Sequence, residues 1–392
     1  MIRKLTPEET PRANELFAIA FEQPMDRAAA QPDEEGFTRW AALDGEEMMS
    51  TLSVTDFMVH FDGHACKMGG IGGVATLPQY RRRGGIRGCF QAMLPDLYAN
   101  GYDFSYLYPF STAYYRKFGY ECCVQKYHAA VDLALLTPPE GKGTLHLIEQ
   151  GDLQKEAVRA IDAAWENRYN MMVRHRAEDY KWLEKQDPAV KQEFTYVYRA
   201  EDGTPKAYTS FRKEARDDGQ DLVCSRFFFI DREGFFGLMG LFKSLSADHR
   251  LVKFSIPTAT AMQYLAPEWS MGAATWSLRG AGMVRVVNVE SVLRKARYMG
   301  GGSAVLRIRD PQIQENDRAF AIRFSEGRAV SVEETQEAPD AVLSIPAFSA
   351  LISGVCDFPD AAEWMDGIEI CRRTDVLSQV FYRKPMMIVD YF

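Results

Sequence analysis

Residues 71–88, IGGVATLPQYRRRGGIRG, constrain the fold of this chain more than any other segment. A run of apolar and β-branched residues meets Pro78, three arginines and a Gly-Gly pair, and the following residues have the apolar spacing of an amphipathic helix. The segment therefore predicts a strand, a basic turn and a helix. Glycines let a ligand approach the backbone, and the amides of a first helical turn suit a phosphate or pyrophosphate.

The basic turn is also open to simpler interpretations. Arginines before a helix often form only a solvated surface turn, and a Gly-Gly pair often makes only a tight connection. The run 70–75 fits the degenerate dinucleotide-binding pattern, but Pro78 falls where the first helical turns should be and no β-α-β unit precedes it, so we interpret this match as accidental. The chain contains no G-x-x-x-x-G-K-[ST] sequence, which excludes a P-loop.

Two motifs in this region resemble the GNAT acetyltransferase superfamily. Residues 74–84 are similar to its coenzyme-A-binding motif, in which a splayed central strand precedes an R/Q-x-x-G-x-G/A turn. The turn here runs Arg81-x-x-Gly84-x-Ile86, and the bulky Ile86 resembles the branch represented by the bacterial Eis (enhanced intracellular survival) acetyltransferases. The second motif, residues 106–120, resembles the GNAT segment in which a strand leads into a helix that ends in F-Y-x-x-x-G-F/Y.

The resemblance implies acetyl-CoA as the acetyl donor. In GNAT folds the splayed strand presents backbone N–H groups to the thioester carbonyl and the pantetheine arm, and the arginine turn covers the pyrophosphate. In the Eis pattern the segment after the next strand also contacts the cofactor. The residues that the resemblance assigns to CoA are Val74, Ala75, Thr76, Arg81, Arg82, Arg83, Gly84, Gly85, Ile86, Arg87, Phe110 and Ser111.

Acetyl transfer to an amine needs a neutral nucleophile, a donor for the developing oxyanion and a proton for the leaving thiolate. A tyrosine, with a pKa near 10, can donate to a thiolate whose pKa is about 8.5 without being ionised at neutral pH. Tyr115 matches the acid position of the family motif. Tyr114 and Tyr120 are alternatives, because a shift of one residue on a helix turns a hydroxyl by roughly 100°. We expect Tyr120 and Phe118 to pack in the core.

The sequence finishes on an apolar segment, residues 385–392, with two aromatic residues at its end. Eis-like chains close on an aromatic residue whose carboxylate enters the N-terminal active site and helps to take the proton from the amine, so the resemblance implies Phe392 as a second catalytic group. A terminal carboxylate has a pKa of about 3.5, so either burial raises it or the group orients a cationic acceptor. Alternatively, Tyr391 and Phe392 only complete the core of the last domain.

The acceptor pocket should be acidic and aromatic. The segment that roofs such pockets supplies Glu22, Asp26, Phe37 and Trp40, although its carboxylates could equally be only solvated. The net charge of −8 argues against nucleic acid or a membrane surface as partner and suits a cationic acceptor. We expect an aminoglycoside-like, polyamine-like or lysine amine.

At 392 residues the chain exceeds the size of a single core. We expect an α/β protein with mixed α+β sheets, in the form of tandem GNAT folds and a sterol-carrier-like α+β domain. The expected boundaries are 1–135 for the GNAT domain with the acetyl-CoA site, 136–284 for a degenerate second GNAT-like domain without the arginine turn, and 285–392 for the domain that delivers the C-terminus. The segment MVRVVNVESVLRKARY should open this third domain as a helix.

These features predict an N-acetyltransferase that works by direct transfer in a ternary complex. The alternative is a non-catalytic acyl-CoA or lipid-binding protein on the same folds, which would need neither the tyrosine nor the complete arginine turn. The seven cysteines and six histidines lack metal-ligand spacing, so we expect reduced thiols, no metal and a cytoplasmic protein. The N-terminus has no apolar signal core and no run of eighteen apolar residues occurs, which predicts no membrane span. The Eis resemblance implies a homo-oligomer, specifically a hexamer.

Overall fold

The structure is a computed structural model that describes residues 1–25, 36–149, 154–217, 219–261 and 273–391. It divides into two compact units. The first unit contains residues 1–124, 281–384 and the described residues from 389 on, and the second contains the described residues of 125–280 together with 385–388. No helix in the described ranges is both long and apolar enough to cross a membrane.

The strands and helices are numbered along the chain. The first part contains β1 (Ile2–Lys4), α1 (Thr10–Phe21), β2 (Phe37–Asp44), β3 (Glu47–Phe61), β4 (His64–Thr76), α2 (Gly85–Ala99), β5 (Phe104–Leu107) and α3 (Thr112–Arg116). The middle part contains β6 (Gln125–Asp132), β7 (Thr144–Leu147), α4 (Lys155–Arg168), α5 (Lys181–Glu184), α6 (Pro188–Lys191), β8 (Glu193–Arg199), β9 (Pro205–Arg216), β10 (Gly219–Phe229), α7 (Arg232–Ser244), β11 (Leu251–Pro257) and β12 (Ala274–Gly280). The last part contains β13 (Met283–Val286), α8 (Val289–Lys295), β14 (Gly302–Arg309), β15 (Ala319–Ser325), β16 (Arg328–Glu334), β17 (Ala341–Ser344), α9 (Ile345–Ser353), α10 (Phe358–Trp364), β18 (Ile368–Ile370) and α11 (Thr374–Val380).

The first sheet has the strand order β1-β2-β3-β4-β5-β13. Strands β2 and β3 and strands β3 and β4 form hairpins, and Asp62 and Gly63 in the second turn both adopt positive φ, as a tight hairpin turn requires. The two faces of β2 carry different cores. Ala41 packs with residues of α1, and Trp40 packs with residues of α2 such as Phe90. This alternation follows from the period of two in a strand.

The second sheet has the strand order β12-β6-β11-β10-β9-β8-β7. Helix α7 packs on it through Phe235, which contacts Phe227 and Phe254 of two adjacent strands. Helix α4 contributes the buried Trp165, whose indole N–H donates to the carbonyl of Phe229 at 2.8 Å. The element order α4, β8, β9, β10, α7, β11 repeats the order of the first unit from α1 to β5, as the proposed second GNAT-like copy requires.

Two strands pair in a sheet other than the one expected from their position in sequence. Strand β6, expected inside a domain ending at residue 135, pairs with β11 and β12 of the second sheet. Strand β13, expected as part of a helix, pairs antiparallel with β5 of the first sheet. The division into two compact units falls after residues 124 and 280, and helix α8 begins only at Val289, where the Asn288 side chain caps it. The first sheet is thus completed by β13, a strand from a distant part of the sequence.

The third sheet, β16-β15-β14-β17-β18, belongs to the first unit and is tied to the first sheet by buried ion pairs. Arg285 of β13 is fully buried and donates to both carboxylate oxygens of Asp310 at 2.7 Å and to the carbonyl of Phe118 at 2.9 Å. Two further pairs join the same parts. They are Lys295 with Asp103 at 2.6 Å and Lys384 with Asp62 at 2.5 Å. Charges removed from water in this way require their partners.

A buried carboxylate lies in the core of the second unit. Asp162 of α4 is 5% exposed and accepts a hydrogen bond from the Tyr208 hydroxyl at 2.7 Å. Burial raises the pKa of Asp162 from 3.8 to about 6, and the hydrogen bonds and the nearby His175 only partly oppose this shift. The ionised form is therefore disfavoured in the folded protein.

We predict that replacing Arg285 by Met destabilises the first unit by about 3 to 5 kcal/mol, because it leaves the Asp310 carboxylate buried without a counter-ion. The double variant Arg285→Met with Asp310→Leu should recover much of this loss, since it removes both charges. Chemical denaturation measures both effects. Equal stability of Arg285→Met and the unmodified protein would show that the pair does not hold the unit together.

We predict that Asp162 makes the second unit less stable as the pH rises. Its pKa is higher in the folded state than in the unfolded state, so its stabilising contribution is complete below about pH 4 and is lost as the pH rises through about 6. The loss amounts to ~3 kcal/mol for a shift of this size. Asp162→Asn retains an acceptor for Tyr208 and should remove this part of the slope in denaturation measured between pH 4 and 7.

The matched control for this experiment is Asp202→Asn. Asp202 lies in an exposed turn, and the Thr204 amide lowers the pKa of its carboxyl group, so this replacement should leave the downward slope in place. A slope that persists unchanged in Asp162→Asn would contradict the prediction.

Candidate functional site

Strands β4 and β5 pair for only part of their length. Residues 68–71 of β4 run parallel to residues 104–107 of β5, and β4 then continues to Thr76. Residues 72–76 therefore have a strand partner on the β3 side alone. We call the gap beside them the β4–β5 cleft. Its wall is backbone with unused hydrogen-bonding capacity, which is a suitable surface for an amide-containing arm.

A bulge in β4 lies beside this cleft. The register with β3 shifts so that Gly72 pairs with Ser53 and Ala75 with Thr51, leaving two residues of β4 opposite one of β3. Gly73 in the bulge has φ +55°, a value that glycine adopts at little cost. Bulges re-orient the backbone and commonly occur next to active sites.

Helix α2 begins at the basic turn with its amides available. Its N-cap, Gly84, has φ +84° and no side-chain cap, and the first turn contains no acidic residue. The first backbone bond inside the helix runs from the Gly88 amide to the Gly84 carbonyl at 2.9 Å, so the amides of Gly85, Ile86 and Arg87 have no acceptor within the helix. These amides and the positive end of the helix dipole favour an anion.

The side chains at this turn divide into two groups. Four guanidinium groups are exposed, those of Arg81, Arg82, Arg83 and Arg87. None of them forms an ion pair with a described residue. Ile86 instead is buried in the core under α2, so it can offer a ligand only its amide. A Cβ on Gly85 would lie 2.5 Å from Ser50 Oγ, so this glycine permits close packing of the helix on β3.

Tyr115 lies on α3, which the Ser111 side chain caps. It is 3% exposed, and its ring lies 5.3 Å from those of Phe110 and Tyr114. Burial raises its pKa above the ordinary value of 10, so the hydroxyl stays protonated at neutral pH. Its hydroxyl makes no hydrogen bond with any described residue. A donor that is protonated and not already engaged could serve as an acid.

The neighbouring tyrosines differ in their surroundings. Tyr120 is fully buried and its hydroxyl is hydrogen-bonded to Ser105 Oγ at 2.7 Å, so it packs in the core as predicted, together with Phe118. Tyr114 is half-buried, and burial raises the pKa of its hydroxyl as well. Tyr114 therefore remains the alternative acid. Phe110 is 73% exposed beside both candidates.

The end of the described chain lies against β5. The Tyr108 hydroxyl donates to the carbonyl of Asp390 at 2.6 Å, and the rings of Tyr108 and Tyr391 stack at 4.5 Å. Tyr391 is 73% exposed, so the alternative that it completes a core is wrong for this residue. Phe392 lies outside the described residues. Sequence reasoning missed Tyr108, because only the fold brings it to the C-terminal segment.

The predicted acceptor residues do not form one group. Phe37 lines a small hollow against the Gly73 bulge, together with Arg39, whose guanidinium lies 5.1 Å from the Phe37 ring. Trp40 lies on the opposite face of β2, in the core under α2, which corrects its predicted contact with an acceptor. Glu22 caps the end of α1 in an exposed, left-handed conformation, and Asp26 lies outside the described residues.

Arg39 is a feature that the sequence did not indicate. It is 8% exposed and donates to Asn14 Oδ1 at 2.8 Å. A buried cation therefore lines this hollow. The alternation of β2 was visible in the sequence, but the face of the strand that meets α1 was not.

The corresponding helix start in the second unit is closed. Strands β10 and β11 also diverge after a short parallel contact, but the N-cap of α7 is Asp231, which accepts from the Gly234 amide at 3.0 Å and pairs with Lys206 at 2.7 Å. Glu233 adds a second carboxylate in the first turn. An anion approaching this helix would meet two negative charges and an occupied amide. Asp-x-x-Gly before a helix is the sequence signal for such a cap.

Two parts of the chain match models of known protein families. Residues 1–123 match the family model described as an acetyltransferase (GNAT) domain, and residues 289–388 match the model described as a sterol carrier protein domain. The chain therefore contains an acetyltransferase domain of the GNAT superfamily, joined to a sterol carrier protein domain. No curated protein matches the sequence.

Three solved structures share the fold over their whole length. A probable N-acyltransferase from Enterococcus faecalis V583 is 22% identical, with a TM-score of 0.86, and the superposition covers 100% of this chain and 99% of that chain. A GCN5-related N-acetyltransferase from Anabaena variabilis is 17% identical, with a TM-score of 0.85 and full coverage of both chains. Eis1 from Mycobacterium abscessus is 18% identical, with a TM-score of 0.82 and full coverage of both chains. The mixed α/β fold and its resemblance to Eis-like proteins are confirmed.

We predict that the double variant Arg81→Ala with Arg83→Ala weakens CoA binding at least tenfold, or about 1.5 to 3 kcal/mol, because charged hydrogen bonds to the pyrophosphate are lost. Titration calorimetry measures the effect. The matched control is Arg232→Ala, a cation at the start of α7, whose amides Asp231 caps; its CoA affinity should not change. Unchanged affinity in the double variant would show that the pyrophosphate does not bind at this turn.

Proposed function

We propose that this chain is an acetyl-CoA-dependent N-acetyltransferase that transfers the acetyl group directly to an amine in a ternary complex. The observation that carries the proposal is the β4–β5 cleft next to an uncapped helix start with four exposed arginines. The cleft offers backbone groups to an extended arm, and the helix start offers amides and cations to a pyrophosphate.

The CoA would occupy both parts of this surface at once. Its pantetheine arm would bind along Val74 to Thr76, and its pyrophosphate would bind the amides from Gly84 to Arg87. The Ser111 hydroxyl and the exposed Phe110 ring would contact the cofactor at the far side of the cleft. The closed helix start in the second unit supports a single CoA site per chain, because Asp231 already occupies the equivalent amide.

Tyr115 would donate a proton to the thiolate of CoA as it leaves. Its hydroxyl is protonated at neutral pH and makes no hydrogen bond with any described residue, so it is available to donate. In the same step the amine nitrogen would attack the thioester carbon, the C–S bond would break and the nitrogen would lose a proton. The only change needed at Tyr115 is the transfer and later recovery of one proton.

The Phe392 carboxylate would accept the proton from the amine or orient a cationic acceptor. The contacts of the preceding residues support the proposal, since Tyr108 binds Asp390 and stacks on Tyr391, which fixes the chain one residue before Phe392. Glu22, Asp26 and Phe37 would contribute to an acceptor site for an aminoglycoside-like, polyamine-like or lysine amine.

The direct test is transfer of radiolabelled acetyl groups from acetyl-CoA to a panel of amines. Labelled product with at least one amine supports the enzyme. Binding of CoA without any transfer across the panel would favour the alternative, a non-catalytic acyl-CoA or lipid-binding protein on the same folds.

We predict that Tyr115→Phe lowers kcat at least tenfold, because general acid catalysis contributes roughly a hundredfold or more and the variant loses only the hydroxyl. CoA affinity and the melting temperature should change little. Tyr114→Phe is the matched control, and a larger loss in that variant would transfer the acid role to Tyr114.

We predict that residues appended after Phe392 also lower kcat at least tenfold, because they move its carboxylate but retain the ring. Full activity of the extended protein would show that this carboxylate does not take part in catalysis.

We further propose a cytoplasmic homo-oligomer, with a hexamer as the expected state by resemblance to Eis-like proteins. Closed symmetric assemblies are the usual form of soluble oligomers. Sedimentation at micromolar concentration should show a species well above the 44.4 kDa of one chain. A single species of that mass would contradict the proposal.

A further inference from the structure

One face of the second sheet carries a concentration of cations and hydroxyl groups. Strands β12, β6 and β11 lie side by side there. Residues paired across antiparallel strands direct their side chains to the same face. Ser255, His128 and Ser277 are paired in this way and form one row across the three strands. Two residues further along, Lys126 pairs with Arg279 and forms the next row of the same face.

The opposite face of the same strands is occupied. Phe254 alternates with Ser255 along β11, and its ring lies 6.4 Å from that of Phe235 on α7. Helix α7 therefore covers the Phe254 face, and the rows of hydroxyls and cations face away from it. We call the surface formed by Lys126, His128, Ser255, Ser277 and Arg279 the basic face.

The charges of the basic face are unequally balanced. Lys253, in the row before Ser255, is neutralised by Asp221 at 2.8 Å and Glu214 at 3.0 Å. Arg279 is exposed and forms no ion pair with any described residue. The pKa of His128 is lowered, first by partial burial and then by the positive charges of Lys126 and Arg279.

The face is also concave. It forms a hollow with a volume of about 540 Å³, whose lining includes His128, Ser255, Ser277, Arg279 and the small Ala130. This volume lies within the ordinary range of small-molecule sites. The Ser255 hydroxyl and His128 Nδ1 are 3.3 Å apart and form a hydrogen-bonded pair within it.

We propose that this hollow binds a small molecule that carries a diphosphate group. Guanidinium, imidazole and hydroxyl groups are all phosphate ligands, and here they occur together without a carboxylate in their own rows. Neighbouring strands lie about 4.8 Å apart and alternate residues on one strand about 7 Å apart, so Arg279 and the row of Ser255, His128 and Ser277 present donors over a patch the size of a diphosphate. The inference rests on the second unit alone and does not depend on the acetyltransferase proposal.

The test is titration calorimetry with pyrophosphate and with ADP as probes. It uses the full chain carrying Arg81→Ala and Arg83→Ala, so that the turn before α2 contributes as little heat as possible. In this background, Arg279→Gln with His128→Gln should lower the affinity for both probes at least tenfold, or about 1.4 kcal/mol. Tighter binding of ADP than of pyrophosphate would identify a nucleotide, and equal binding would identify the diphosphate itself.

The matched control is Arg232→Gln, a cation on α7 at the covered side of the sheet, which should leave both affinities unchanged. Equal affinity in the Arg279→Gln, His128→Gln protein and its parent would overturn the proposal, as would absence of binding by the parent at millimolar probe. Sedimentation of the same samples provides one more check. If the two replacements dissociate an oligomer and neither probe binds, the basic face is a contact between copies and the proposal fails.

Discussion

The pairing of β13 with β5 is the constraint on which the first unit depends. A short, fully buried strand such as β5 needs a partner on both sides, and β4 leaves it after residue 71. Strand β13 supplies the other side from almost two hundred residues further along the chain, and its Arg285 brings a charge into the interior with it. Asp310 neutralises that charge, and the remaining hydrogen bond goes to the carbonyl of Phe118, just beyond α3. The segment that carries Tyr115 is thus bound to the sterol carrier domain.

Gly119 shows how closely these parts fit. Its φ is +85°, and a Cβ there would lie 1.6 Å from Nη1 of Arg285. The glycine of the Phe-Gly-Tyr motif is therefore needed both for its backbone conformation and for the approach of the guanidinium. A motif that in sequence resembles a catalytic signature is in the structure also a contact with the third domain. Substitution there would affect folding and the position of Tyr115 together.

Much of the fold could be predicted from the sequence, because its signals are local. Hairpin turns, the alternation of β2 to β4 and the strand, turn and helix around the arginines depend on residues near one another in the chain. The place of β13 in the first sheet could not be predicted, since the residues 283–286, MVRV, are compatible with a helix or a buried strand and only their distant partner decides. Trp40 was misplaced for a related reason. Alternation shows that β2 has two faces, but it does not show which helix covers each face.

The two units differ in whether the amides at the helix start after their diverging strands are available to an anion. Both have diverging parallel strands followed by a helix, so the backbone alone does not distinguish them. The difference is one residue at the N-cap. A glycine at position 84 leaves the amides available, whereas the Asp231 carboxylate supplies its own anion and holds Lys206 beside it. Compared with glycine, such a cap stabilises a helix by only about a few tenths of a kcal/mol, so the Asp231 cap gives the second unit a small gain in stability. Stability and binding at a helix start therefore favour opposite residues, and the sequence of each helix start indicates which of the two is served.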